Sequence, residues 1–397
     1  MANFLNDIQF KNPIREGIEG YRSVLREIYR AGLISLKDLS QKVLIPIPVI
    51  SKIVNYMVEL KVLDRIPAGI LYTENGMQFI ESELKFYGFG ISKCELCNGH
   101  PIFISPRWDN VLDKLDEIFE KRPKVDTTLD QAFATAETSL SRALLLYDRG
   151  ALDGKKICLL GDDDYSSVAI AFLYLGFFPE NPKLIPEEMV VIDIDNRLLE
   201  GIKKAVNENS FNIKYKLWDY RTKIPEDLLN IFDIIMIDPP YSENGLRLTL
   251  SRAIDMLRIE IGREIYLSFA HRSPVKFLKI QEIITEMGLA IMEITPRFNT
   301  YEGATILGNQ TQILRLITTS DTKSSISSTF KFEEQIYTGE LSPTTRFYYC
   351  LKCNKTIEIG ETSQIKTIEK LKEIGCPYCK SKEGPFQLEG KVKNNPS

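Results

Sequence analysis

The chain has 397 residues, 44% of them hydrophobic, and a formal net charge of −4 at pH 7. That length predicts two or three domains, and the acidic balance excludes a global basic footprint for nucleic acid. Seven cysteines in so long a chain exclude a disulfide-stapled scaffold; six of them fall in C-x-x-C pairs, which points to metal.

There is no run of about 18 apolar residues and no secretory leader pattern, so a soluble, cytoplasmic protein without a membrane span is expected. Isoleucine, lysine and glutamate are abundant and the only histidines are His100 and His271. That composition fits a thermophile.

Residues 1–84 predict a small helical domain. Tyr21, Val24, Leu25, Ile28 and Tyr29 repeat at helical spacing. A second helix starts after Ser35, and a third covers 49–60. Apolar runs at 63–66 and 70–72 flank Pro67-Ala-Gly69 as a hairpin would, and a closing helix covers 75–84. Helices followed by a hairpin describe a winged-helix-like domain. Its third helix would enter a DNA groove, yet it carries Lys52 against Glu59. Phosphate neutralisation takes several Lys or Arg, so nucleic acid is not favoured as a partner. Residues 85–125 form a connector with Cys94-Glu-Leu-Cys97-Asn-Gly-His100. Cys94 and Cys97, with His100 as a third, are candidate metal ligands; two reduced thiols are the plainer alternative.

The core is expected over 126–320. It opens with a stretch of small polar groups, where Gln131, Thr135, Thr138 and Arg142 are candidate ligand contacts. A capped surface helix explains any one of them equally well. Apolar strands follow at 157–160, 189–192, 213–217, 231–237, 264–268, 290–295 and 311–316, with helices between most of them. Alternating strand and helix predicts a parallel sheet with helices on both faces. The last two strands predict the antiparallel end hairpin typical of adenosylmethionine-dependent enzymes.

One turn stands out. Ile157-Cys-Leu-Leu runs into Gly161-Asp162-Asp163-Asp164. Nucleotide-binding turns at this place are usually glycine-rich, so that backbone N–H groups approach phosphate. Here three carboxylates would repel phosphate and welcome a cation. In open α/β sheets the ligand lies beyond the C-terminal strand ends. The other strand ends carry Asp193 and Asp195, then Asp219-Tyr220-Arg221, then Asp238-Pro239-Pro240-Tyr241. Asp193 is the expected ribose acceptor, with Asp195 capping the next helix and Asp219 accepting from the adenine amine. Two prolines lack N–H groups, which leaves a carbonyl to join Asp238 in accepting from an amine, while Tyr241 covers it. Neighbouring carboxylates raise one another's pKa and suit a base that frees an ammonium for attack. A polyamine acceptor is expected.

Asp130-Gln131, Thr135-x-Glu-Thr138, Arg149-Gly150, Gly161-Asp-Asp-Asp164, Asp193-Ile-Asp195-x-Arg197, Asp219-Tyr-Arg221 and Asp238-Pro-Pro-Tyr241 together resemble the branched-chain polyamine synthases, the N(4)-bis(aminopropyl)spermidine synthase family. The likeness spans roughly residues 60–317. It implies an α/β, Rossmann-like transferase sheet and two aminopropyl transfers from decarboxylated S-adenosylmethionine to the secondary amine of spermidine. It also implies Asp164 as the base, Asp162 and Asp163 holding amines, a homodimer, and no catalytic cofactor. Two rivals fit less well. An amino-group methyltransferase acting on nucleic acid leaves Gly-Asp-Asp-Asp unexplained, and a DNA-binding regulator with a degenerate core needs a basic recognition helix.

Beyond the core the chain departs from that family. Residues 321–344 read as a Ser/Thr-rich linker or lid, with Glu333, Glu334 and Glu340 as an acidic cover. Residues 345–397 carry Cys350-Leu-Lys-Cys353 and Cys376-Pro-Tyr-Cys379. Two such knuckles predict a zinc ribbon in which four thiolates hold a structural zinc and leave no open position.

Overall fold

The computed structural model describes residues 2–84, 86, 100, 102–177, 186–206, 213–302, 309–337, 344–360, 363–365, 368–381 and 386–393. The chain divides into two compact units. One comprises Met1–Val125, Ala132–Pro239 and Arg247–Lys331, the other Asp126–Gln131, Pro240–Leu246 and Phe332–Ser397.

The first unit begins with helices α1 (Ala2–Lys11), α2 (Gly17–Ala31), α3 (Leu36–Val43) and α4 (Ile47–Glu59), the hairpin β1 (Leu63–Ile66) and β2 (Gly69–Tyr72), and α5 (Glu74–Leu84). The apolar stripe of α2 is buried at Tyr21, Val24, Leu25 and Ile28, and Ser35 caps α3 by accepting from Asp38 N. These elements share one apolar cluster that includes Ile50, Ile53 and Ile80. The helix α1 escaped the sequence reading because its apolar spacing is weak.

The sheet of the first unit has the order β5-β4-β3-β6-β7-β9-β8. Its strands are β3 (Lys156–Leu160), β4 (Glu188–Asp193), β5 (Ile213–Leu217), β6 (Ile234–Ile237), β7 (Glu264–Ala270), β8 (Leu289–Thr300) and β9 (Gln310–Thr318). All pairs are parallel except those made by β9, which runs antiparallel to both β7 and β8. The central strands β3, after Lys156, and β6 are apolar and buried on both faces, as a helix-covered parallel sheet requires. The helices are α6 (Asp109–Phe119), α7 (Ala136–Asp148), α8 (Ser166–Phe177), α9 (Asn196–Ala205), α10 (Glu243–Met256) and α11 (Pro274–Glu286). Strand β6 starts three residues later than its apolar run suggests. Asp233 breaks it, accepting from Lys156 N and pairing with Arg258 and Arg263.

The Ser/Thr-rich stretch after β9 is not a free tether. Fully buried Arg252 donates to the carbonyls of Tyr220, Ser327 and Phe330, and Ser251 Oγ accepts from Ser325 N and Ile326 N. Composition suggested a linker; α10 supplies the donors and acceptors that pin it.

The second unit holds a three-stranded antiparallel sheet of order β11-β10-β12, built from β10 (Thr344–Cys350), β11 (Thr356–Ile359) and β12 (Phe386–Lys393), with helix α12 (Ile368–Ile374). Cys350, Ile357, Ile359, Leu371 and Cys376 form its small core.

Candidate active site

Strand β3 delivers the acidic turn. Gly161 has φ +82°, a conformation that costs other residues energy, and its N–H bonds to Ile192 O at 2.8 Å. The three aspartates then part company. Asp162 is buried and used up by α8: Oδ1 accepts from Ser166 N at 2.7 Å, and Oδ2 accepts from Ser167 N at 3.1 Å and from Ser167 Oγ. Burial nonetheless pushes its carboxyl up to about 7.

Asp164 is also buried, and both its oxygens are engaged. Oδ1 accepts from Ala134 N at 2.5 Å and Oδ2 pairs with Arg142 Nη1 at 2.6 Å. Arg142 rises from α7 and is itself fully buried. All five of its N–H groups find acceptors. Nε donates to Asn299 Oδ1 at 2.8 Å, Nη1 also reaches Ser166 Oγ at 3.4 Å, and Nη2 donates to Asp238 Oδ2 at 3.1 Å and Tyr301 Oη at 2.9 Å. Tyr301 in turn donates to Asp238 Oδ2 at 2.5 Å.

Asp163 is different. It is half-buried and makes no hydrogen bond to another described residue. Loss of water, and then the charges of Asp164, Asp238 and Asp193, push its carboxyl well above the ordinary range, with Arg142 pulling the other way.

Asp193 ends β4. Its Oδ1 accepts from Asp195 N at 2.8 Å and its Oδ2 from Asp162 N at 3.2 Å, which ties the two strand ends together. Burial moves it up to about 6. Asp195 caps α9 through Arg197 N and grips the Arg197 guanidinium at 2.6–3.1 Å. Asp219 repeats that fork with Arg221 at 2.8–3.1 Å. Both are Asp-x-Arg units, a pattern visible in the sequence. Thr135 caps α7, accepting from Thr138 N, while its own N–H bonds to Thr300 O. Pro239 is buried beside Asp238 at the end of β6.

Gln131, Pro240 and Tyr241 belong to the second unit. Gln131 Oε1 accepts from Asp126 N at 2.7 Å. The Pro240 carbonyl accepts from Ser242 N at 2.8 Å, because the chain folds straight back there. A Cβ on Gly245 would sit 2.7 Å from that same oxygen, so glycine is required for the approach. Tyr241 is half-buried. Ser242 Oγ donates to Ile336 O at 2.5 Å, and Asn244 Nδ2 to Glu334 Oε2 at 3.0 Å.

The second unit also gathers Cys350, Cys353, Cys376 and Cys379, whose sulfurs lie within 4.8 Å of one another. The pairs Cys350–Cys379 and Cys353–Cys376 are 3.9 and 3.6 Å apart. Four thiolates around a tetrahedral zinc, with Zn–S about 2.3 Å, stand about 3.8 Å apart, so the set fits a metal ion. Cys94 and Cys97 lie outside the described residues. Both His100 ring nitrogens face backbone carbonyls, of Ile102 at 2.7 Å and Phe298 at 3.2 Å, so the ring is not presented to a metal there.

Asn299 and Tyr301 were missed by sequence reasoning. Strand β8 was expected to stop at Thr295. It continues through a bulge that spans Thr295 to Asn299, with Arg297 at φ +57°. Arg297 N donates to His271 Nε2 at 3.2 Å, and burial holds that imidazole neutral, down to about 4. The bulge re-aims the strand end so that Asn299 and Tyr301 reach Arg142. Pro296 inside an alternating run was the available signal.

The sequence model described as the branched-chain polyamine synthase A C-terminal domain matches residues 110–348. An uncharacterised protein of Methanocaldococcus jannaschii is 38% identical over 98% of this chain and 94% of its own length. The N(4)-bis(aminopropyl)spermidine synthase of the same organism is 31% identical over 76% of this chain and 83% of its own length. A mutein of the Thermus thermophilus branched-chain polyamine synthase, solved with N4-aminopropylspermidine and 5'-methylthioadenosine, is 20% identical with a TM-score of 0.66, covering 85% of this chain and 96% of that one. That last likeness speaks for the Rossmann-like fold. Among the described residues no helix is long and apolar enough to cross a membrane. By the extent of the matched domain and the identity to the archaeal synthase, the chain belongs to the branched-chain polyamine synthase family.

Proposed function

We propose that the protein transfers aminopropyl groups from decarboxylated S-adenosylmethionine to the secondary amine of spermidine, giving N(4)-aminopropylspermidine and then N(4)-bis(aminopropyl)spermidine, with methylthioadenosine released. The carrying observation is Asp163, a half-buried carboxyl held above its ordinary range among Asp164, Asp193 and Asp238. Such a group attracts a protonated amine and then takes its proton. Once that proton is on Asp163, the freed nitrogen lone pair attacks the carbon next to the sulfonium and the C–S bond breaks with its electrons left on sulfur; the first transfer leaves a tertiary ammonium, and the second, after the same deprotonation, a quaternary one. Positioning and base catalysis supply the acceleration.

The family resemblance put the base at Asp164. We assign it to Asp163, which makes no hydrogen bond to another described residue, whereas Asp164 is buried in an ion pair with Arg142. Asp162 we assign to holding the turn rather than an amine. Asp193 is the ribose acceptor, Asp219 the adenine partner, and Asp238 with Tyr241 the amine-facing motif. The winged-helix-like reading of 1–84, the homodimer and the cytoplasmic setting belong to the same proposal, as does zinc at the four cysteines. That zinc would be structural, held by four thiolates, and no step of the transfer passes through it.

The deciding experiment is incubation with spermidine and either decarboxylated or intact S-adenosylmethionine, with mass analysis of products. Aminopropyl increments on spermidine are expected. A methyl increment on RNA or DNA with none on spermidine would sink the reading. The Asp193 assignment carries a pH test. A ribose hydroxyl donates to the ionised carboxylate, so binding favours deprotonation and weakens as pH falls through about 6. Methylthioadenosine affinity measured by calorimetry should drop by about tenfold per pH unit below that point. Asp193→Asn should bind weakly at every pH, and an unchanged slope in that variant would reject the assignment.

A further inference from the structure

Among the described residues, Arg142 is the cation that pairs with both acidic motifs. Its Nη1 holds Asp164 at 2.6 Å, its Nη2 holds Asp238 at 3.1 Å, and no N–H is left for solvent. Its own placement is fixed from strand β8, by Asn299 Oδ1 on Nε and by Tyr301 Oη on Nη2. Asn299 is anchored in turn, donating from Nδ2 to Thr311 Oγ1 at 2.9 Å and to Ser268 Oγ at 3.2 Å. Nothing in this set is exposed enough to be a solvated surface pair. A planar guanidinium fork sets the separation and tilt of two carboxylates in a way that a point charge does not.

We propose that Arg142 is a positioning residue for the transfer: its fork sets the distance between the Gly-Asp-Asp-Asp turn and Asp238, and Asn299 and Tyr301 hold the fork in plane. The inference rests on the aminopropyl-transfer reading. Arg142 touches neither substrate; it fixes the frame in which Asp163 and Asp238 meet the amine. A buried ion pair that served only stability would leave kcat unaltered in whatever fraction of the lysine variant folds.

The experiment compares the parent protein with Arg142→Lys and Tyr301→Phe. Initial rates are measured against each substrate separately, with melting temperature and methylthioadenosine affinity alongside. Arg142→Lys keeps the charge and loses the fork. It is expected to lower kcat by about a hundredfold, with donor KM and methylthioadenosine affinity within about threefold of the parent. Tyr301→Phe removes one hydroxyl and is expected to lower kcat by about tenfold with the same split. A folded Arg142→Lys protein that turns over within about threefold of the parent overturns the proposal. If that variant does not fold, Tyr301→Phe decides, and an unaltered kcat overturns it. A loss of kcat that merely tracks the folded fraction, with the split absent, overturns it too. A parent protein with no aminopropyl transfer sinks the functional reading and this inference together, whereas an active parent with indifferent variants sinks the inference alone.

Discussion

Asp163→Asn is expected to lower kcat by about 10²- to 10⁴-fold, the range that a positioned general base supplies. The same substitution should raise the melting temperature at pH 8. The folded state holds the Asp163 carboxyl well above the ordinary carboxylate range. The folded protein therefore binds its proton more tightly than the unfolded chain does. The stability this confers is complete below the unfolded pKa and is lost as pH rises through the folded value. At pH 8 the ionised group opposes folding, and a neutral amide removes the opposition. Asp164→Asn should behave in the opposite sense. It strips one partner from a buried guanidinium, with side-chain exposures of 2% and 3% for the pair. A loss of roughly 3 kcal/mol is expected, since Asp238 still neutralises Arg142 in part. Thermal melts from pH 5 to 8, set beside initial rates, separate the two residues. An Asp163→Asn protein with parent-like turnover would return the base to Asp164 or to another group.

Purified protein is expected to contain about one zinc per chain, with removal of the metal unfolding the small unit around the cysteines. The core there is only a few side chains, and two of them, Cys350 and Cys376, belong to the four-cysteine set that would hold the metal. A structural zinc in so small a unit contributes on the order of 10 kcal/mol to its folding. Cys376→Ser should abolish stoichiometric metal and expose 344–393 to limited proteolysis, with the sheet of the first unit still intact by its own melting transition. Backbone N–H of Cys353 foremost, and that of Lys352, holds the Cys350 thiol down to about 7, which favours thiolate at neutral pH. Elemental analysis showing less than about a tenth of an equivalent of any metal, in protein that resists protease, would reject the site.

The sheet was legible because its strands are uninterrupted apolar runs at regular intervals. The acidic strand ends were legible because carboxylates follow those runs directly. What escaped reading has specific causes. The division of labour inside Asp162-Asp163-Asp164 is not a property of spacing: one residue turns into α8, one meets Arg142 and one stays half-buried. Arg142 was read as a candidate ligand contact, and its place between Asp164 and Asp238 was hidden because its partners lie 22, 96 and 159 positions away. Asn299 and Tyr301 were hidden by a bulge that breaks the alternation. The stretch 318–328 reads as a tether by composition, and only the donors of Arg252 reveal that it is pinned.

The fully enclosed guanidinium has a thermal consequence. Hydration of charged groups grows less favourable as temperature rises, so the cost of withholding water from Arg142, Asp164 and Asp238 shrinks on heating. Their mutual attraction does not shrink in proportion. Heating therefore makes the net contribution of this cluster to folding more favourable, and the frame that holds Asp163 grows firmer where an apolar contact would gain little.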